Sequence, residues 1–70
     1  MKISIISGGF DPLHSGHISY INEAKKLGDK LIVLLNSDEW LIKKKGKNFL
    51  PFIERALILE SIKFVDEVLS

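Results

Sequence analysis

From Lys2 to Ser7 the chain reads Lys-Ile-Ser-Ile-Ile-Ser, alternating apolar and polar positions before turning apolar on both faces, which predicts a β-strand buried in a parallel sheet. At Ile18 the period changes. Ile18, Ile21, Ala24 and Leu27 recur at helical spacing, with Ser19, Asn22, Glu23, Lys25 and Lys26 between them. Gly28, followed by Asp29, is the expected C-terminal cap of that helix. Leu31 to Leu35 is a continuous apolar run bounded by Asp29-Lys30 and Asn36-Ser37-Asp38, the mark of a central parallel strand. Together these segments make a βαβ unit. Asp38 to Ile42 then predicts a short helix, and Lys43 to Phe49 a basic, glycine-containing loop. Pro51 suits the first turn of a further helix, continued by Ile53, Ala56, Leu57, Leu59, Glu60 and Ile62 with an apolar face broad enough to need cover on more than one side. Val65 to Leu69 predicts a third strand, best founded at Val65 and Val68.

The order β-α-β-α-β defines an α/β chain with a Rossmann-like parallel sheet and right-handed crossovers, one half of a doubly wound nucleotide-binding fold. A single domain over residues 1–70 is expected, without internal repeats. Three parallel strands leave the first as an edge, so the domain is expected either to be incomplete or to pair with a second copy as a homodimer. Composition narrows the class further. A net charge of +1, 46% hydrophobic residues and 27% charged residues describe a soluble globular domain. The absence of cysteine excludes a disulfide framework and a thiolate metal site, and is compatible with a reducing, cytoplasmic location. No apolar segment approaches the length of a signal-peptide core or a membrane span, so no membrane partner is expected. The balanced charge argues against nucleic-acid binding, which needs a basic face.

The candidate chemistry lies in Gly8-Gly9-Phe10-Asp11-Pro12-Leu13-His14-Ser15-Gly16-His17, between the first strand and the first helix. In open α/β sheets this loop is the usual ligand site. Gly8 and Gly9 let the backbone turn and approach an anion closely, Phe10 anchors the loop, and Asp11-Pro12 fixes its direction. His14 and His17 flank Gly16 at the helix start, where free N–H groups and the helix dipole favour negative charge. Histidines three apart also occur as metal ligands or as polar surface, but no third ligand accompanies these two. The conjunction of two glycines, Phe-Asp-Pro and His-x-Gly-His after a strand and before a helix points to phosphate. Neither Gly-x-Gly-x-x-Gly nor a P-loop motif is present.

On these residues the chain resembles the cytidylyltransferase-like nucleotidyltransferases of the HIGH-motif (HxGH) superfamily. Within it the likeness to the glycerol-3-phosphate cytidylyltransferases extends through Ala24-Lys25-Lys26-Leu27-Gly28-Asp29, Asp38-Glu39 and the stretch from Leu57 to Val68, nearly the whole chain. Asn36-Ser37-Asp38 and Lys45-Gly46 look equally like the heptose-phosphate adenylyltransferases, which leaves CTP and ATP both open. The resemblance implies that the phosphate of a small sugar or polyol phosphate attacks the α-phosphorus of the nucleotide and releases pyrophosphate, with magnesium accompanying the nucleotide. It gives His14 and His17 to the triphosphate, His17 at the α-phosphate, while Gly8, Phe10 and Gly16 supply close backbone approach and N–H groups, and Gly9 and Asp11 complete the nucleotide-binding residues. Lys44 matches a phosphate-contacting lysine of the cytidylyltransferases, and Lys45 is the match in the heptose-type register. A second family lysine falls at Gly46, a departure in this loop. The family also keeps an arginine at Arg55, expected at the phosphates or a dimer interface, with pairing to Glu54 or Glu60 on a helix surface as the alternative. The resemblance further implies two more strands and a Ser/Thr-rich segment beyond residue 70. A non-catalytic nucleotide-phosphate-binding or assembly half-domain is the competing expectation. Among the remaining residues, Asp11 is expected to orient a histidine or cap the first helix, Asp38 to cap the second, with facing the substrate or holding magnesium through water as its alternative, and Trp40 to lie in the core or an interface, with substrate contact as the second reading.

Overall fold

In the computed structural model, which describes all of residues 1–70, the elements run β1 (Ile3–Gly8), α1 (Ser15–Lys26), β2 (Lys30–Leu35), α2 (Asp38–Lys45), α3 (Phe52–Glu60) and β3 (Glu67–Leu69). The strands are parallel in the order β1-β2-β3, so β1 is an edge as its sequence position implied. Ile6 sits beside Val33, and Val33 beside Val68.

This register gathers Ile6, Leu31, Val33 and Leu35 on one face, where Ile21 and Ala24 of α1 and Leu59 of α3 close over them. Both crossovers proceed in the same direction along the sheet, and two right-handed crossovers of that kind place their helices on the same side. The opposite face stays open, with Ile3, Ile5, Leu34 and Leu69 exposed. The expectation that β1 is buried on both faces is therefore corrected: its alternation serves one covered face. The outer side of α3 is open too, with Ile53 and Leu57 exposed, so that helix is covered on one side rather than several.

Two boundaries differ for identifiable reasons. The second helix continues through Lys43, Lys44 and Lys45, where the sequence pattern predicts a loop. Three cations in its last turn complement the negative end of the helix dipole, and Gly46 ends it in the left-handed conformation at φ 87°. The third strand begins only at Glu67, because the residues before it are tied elsewhere. The Asp66 carboxylate accepts from Lys25 Nζ at 2.6 Å and from the Leu31 N–H at 2.7 Å, pinning the approach to β3 onto the start of β2.

Gly28 does not cap α1 through a left-handed backbone; Leu27 is the cap residue. Glycine is needed there for space. A Cβ would stand 2.9 Å from the Lys2 carbonyl oxygen and 3.1 Å from the Ser4 nitrogen. That close approach lets the Asp29 N–H reach the Lys2 carbonyl at 2.7 Å, which sets the register of β2 against β1.

Candidate phosphate-binding cleft

The loop leaving β1 turns at Phe10, whose φ of 48° lies in the left-handed region although it carries a side chain. A buried ring holds that strained backbone in place. The ring packs over Gly8, where a Cβ would lie 3.1 Å from it, and meets the His17 imidazole edge-on with centroids 5.2 Å apart. Gly8 is thus glycine because of Phe10.

His14 is the N-cap of α1, a position the sequence reading left to Asp11. The His14 Nδ1 accepts from the Gly16 N–H at 3.0 Å, and the His17 Nδ1 accepts from the His14 N–H at 3.2 Å. This reciprocal arrangement is a capping box built from two imidazoles. It has a chemical consequence. A nitrogen that accepts carries no proton, so in each neutral ring the proton resides on Nε2. Burial and, secondarily, the charge of His14 hold the His17 imidazole below its ordinary pKa, keeping it neutral at physiological pH. The rings lie 4.1 Å apart and line one wall of a cleft of about 310 Å³.

The facing wall is α2. Trp40, Leu41, Lys44 and Lys45 line it, and Gly9 lies so close to Leu41 that a Cβ would fall 2.6 Å from Cδ2. The Lys45 Nζ donates to the Asp11 carbonyl at 2.9 Å and stands 3.5 Å from its carboxylate. Lys44 makes no ion pair, and its Nζ rests 5.0 Å from the centroid of the Trp40 ring. Trp40, in the first turn of α2, is exposed at the cleft rim rather than buried in the core.

Beneath the cleft two buried polar residues tie its walls together. The Asp11 oxygens accept from the Phe49 N–H at 2.6 Å and the Leu50 N–H at 2.7 Å, so this carboxylate orders the segment after α2 and neither caps α1 nor touches a histidine. Arg55 is 1% exposed. Its guanidinium donates to the Gly9 carbonyl at 2.9 Å, the Asn36 carbonyl at 2.8 Å, the Leu50 carbonyl at 3.0 Å and the Asp38 carboxylate at 2.7 Å. Neither Glu54 nor Glu60 is its partner. Asp38 is drawn into this network, with Asn48 Nδ2 donating to the same oxygen at 3.1 Å, while Ser37 takes the capping role expected of Asp38.

Of the sequence-predicted residues, Gly9, Phe10, Asp11, His14, His17, Lys44 and Lys45 meet around one cleft. Three do not. Gly8 supports Phe10, the Gly16 N–H is taken by His14, and Arg55 is committed to protein oxygens. The last correction has a physical basis: a fully desolvated guanidinium must fill its donors, and protein carbonyls surround it.

The ionisable groups predict acid sensitivity. Burial raises the Asp11 pKa, but the N–H groups of Phe49 and Leu50 and the Lys45 charge outweigh it, so the carboxyl lies below its ordinary value. Hydrogen bonds from Arg55 and from Lys25 lower Asp38 and Asp66 respectively. A lowered carboxyl contributes stability above its unfolded pKa and loses it as pH falls through the folded one. For His17, also lowered, the unfolded chain takes up the proton first. Thermal melts are therefore expected to show stability declining below pH ~6.5 and more steeply below pH ~4.

A parallel sheet with imidazole and ammonium groups converging beyond the carboxyl end of β1 defines an α/β protein with a cationic cleft suited to anions. Comparison with known families gives the particular class: the cytidylyltransferase-like model matches residues 5–70, and the chain belongs to that family of nucleotidyltransferases. It is 46% identical over 69 residues to glycerol-3-phosphate cytidylyltransferase of Bacillus subtilis, covering 99% of this chain and 54% of that protein. Similarity to FAD synthase of Thermococcus sibiricus is 44% over 69 residues, with 96% and 47% covered. The bifunctional protein HldE of Edwardsiella ictaluri is 41% identical over 70 residues, with 97% and 15% covered. A lipopolysaccharide core biosynthesis protein of Thermoplasma volcanium superposes with a TM-score of 0.93 at 33% identity, over 99% of this chain and 57% of that one. The chain spans about half the length of the first two relatives. No helix is long and apolar enough to cross a membrane.

Proposed function

We propose that this chain carries the phosphate-holding part of a nucleotidyl-transfer site, in which a small sugar or polyol phosphate attacks CTP or ATP. An oxygen of the acceptor phosphate bonds to the α-phosphorus, the bond to the β-phosphate oxygen breaks, and pyrophosphate leaves with the electron pair. No protein nucleophile is required. The work of the site is to align two anions and neutralise the charge growing on the transferred and leaving groups.

The observation that carries this reading is the locked imidazole pair. Both Nδ1 atoms accept backbone N–H groups, which leaves both Nε2–H groups as donors at a cleft whose other wall holds Lys44. Preset donors of this kind act on a transition state without reorganising. His17 serves the α-phosphate, His14 and Lys44 the outer phosphates, and Lys45 holds the loop by its bond to Asp11. Magnesium enters with the triphosphate as part of the substrate; both oxygens of Asp11, the carboxylate lining the cleft, already accept backbone N–H groups. The same reading includes a homodimer, supported by the unpaired β1 edge and the open apolar faces of the sheet and α3. Sedimentation at micromolar concentration is expected to give twice the chain mass; a monomer there rejects the dimer.

Pyrophosphate release tests the reaction. CTP and ATP are each incubated with magnesium and either glycerol 3-phosphate or a cyclic sugar phosphate. Release from at least one pairing is expected. Nucleotide binding with no release from any pairing overturns the enzymatic reading and leaves a phosphate-binding module.

A further inference from the structure

Trp40, with the Lys44 ammonium resting over its ring, is a feature that the triphosphate role does not explain. Trp40 is 44% exposed, yet it lines the same cleft as the two histidines. Indole exposed on a cleft wall is a large apolar surface left in water, and it gains most from a flat or ring-shaped ligand laid against it. The backbone that carries it is fixed, because the Trp40 main-chain N–H donates to the capping Ser37 hydroxyl at 3.1 Å in the first turn of α2. Lys44 lies one helical turn further on and rests its ammonium over the ring. The neighbouring Lys45 is bound to Asp11, so of the two cleft lysines Lys44 is the one able to change partner.

We infer that Trp40 and Lys44 form a subsite for a ring-bearing phosphate ester, in which the ring lies on the indole and the Lys44 ammonium moves from the indole to the phosphate. The inference rests on the phosphate-cleft reading and adds selectivity to it. A cation held over an exposed aromatic face by a weak attraction is readily transferred to a dianion. The ligand can then occupy the uncovered face. Two sources supply this chemistry: the base of the nucleotide and the ring of a cyclic acceptor. An acyclic polyol phosphate offers the charge without the ring.

The chain has one tryptophan, so its fluorescence reports directly on this subsite. Titrations of the wild-type chain and of Trp40→Ala and Trp40→Phe use four probes: inorganic tripolyphosphate, CTP, a cyclic hexose phosphate and glycerol 3-phosphate. Affinities come from calorimetry for all three proteins, and circular dichroism confirms that each is folded. At least one ring-bearing probe is expected to bind about tenfold more tightly than its ringless counterpart and to change Trp40 emission. Trp40→Ala is expected to abolish that preference, and Trp40→Phe to keep part of it. A preference for CTP over tripolyphosphate assigns the ring to the base; one for hexose phosphate over glycerol 3-phosphate assigns it to the acceptor. Equal affinities within both pairs, or a preference that survives in Trp40→Ala, overturn the subsite. Failure of tripolyphosphate and every other probe to bind instead overturns the phosphate cleft itself.

Discussion

Replacing Arg55 by methionine is expected to remove about 3–5 kcal/mol of folding stability, enough to leave the chain largely unfolded at 37 °C. A domain of this size has about 4–10 kcal/mol in total, and only eleven of its 70 residues are buried. Arg55 is the largest of the fully buried side chains, and its four hydrogen bonds join the β1–α1 loop, the end of β2, the start of α2 and the segment before α3. The ion pair with Asp38 is the lesser part of this effect. Asp38 is 38% exposed on its side chain, so water recovers much of its charge when the guanidinium goes. The carbonyls of Gly9 and Asn36 lose their guanidinium donor outright, whereas that of Leu50 still accepts from Asn48 Nδ2 at 3.1 Å. Asp38→Asn, which retains an acceptor for Nη2, is therefore expected to cost far less than Arg55→Met. Arg55→Lys keeps the charge but lacks the fork that reaches four acceptors, and falls between them. Urea unfolding of the three variants decides the matter: an Asp38→Asn loss equal to that of Arg55→Met means that the ion pair dominates and the carbonyl clamp does not.

The second large effect is on function. His17→Ala is expected to lower pyrophosphate release at least ~100-fold, the usual cost of one transition-state donor. The fold should survive, losing the edge contact with Phe10 and the capping bond from the His14 N–H, the latter about 1 kcal/mol. Two substitutions separate the roles of the ring nitrogens. Asparagine places an acceptor near the position of Nδ1 and is expected to keep the cap while losing turnover. Glutamine places an amide donor near Nε2 and is expected to keep more turnover with a weaker cap. The reverse ranking, with His17→Asn active and His17→Gln inactive, means that the cap rather than the Nε2 donor supports the reaction.

Much of this architecture was readable from periodicity. The continuous apolar run Leu31–Leu35 is a central strand, Ile21 and Ala24 mark the buried side of α1, and the strand order leaves β1 at the edge. The bases of the cleft were legible as well, because His14 and His17 lie in one local motif and Lys44 and Lys45 in one basic run. What escaped was set by partners distant along the chain. Asp11 answers N–H groups 38 and 39 residues away, and Arg55 answers a carbonyl 46 residues away, neither of which has a local signature. Trp40 escaped for a different reason. The sequence pattern ends α2 at Ile42 and puts Lys44 in a loop, whereas the helix runs to Lys45 and sets Lys44 one turn beyond Trp40 on the wall of the cleft. Gly46, which departs from the family's lysine pattern, is the left-handed cap that ends this longer helix.

The central claim is that the helix start fixes both imidazoles with Nε2–H toward bound phosphate. Nitrogen-resolved NMR of the two histidine rings, recorded at neutral pH without and then with nucleotide, tests it most directly. The account predicts that both neutral rings carry their proton on Nε2, and that nucleotide shifts the Nε2 resonances of both while their Nδ1 resonances keep an acceptor's position. Protons on Nδ1, or Nε2 resonances that do not move when nucleotide binds, would contradict it.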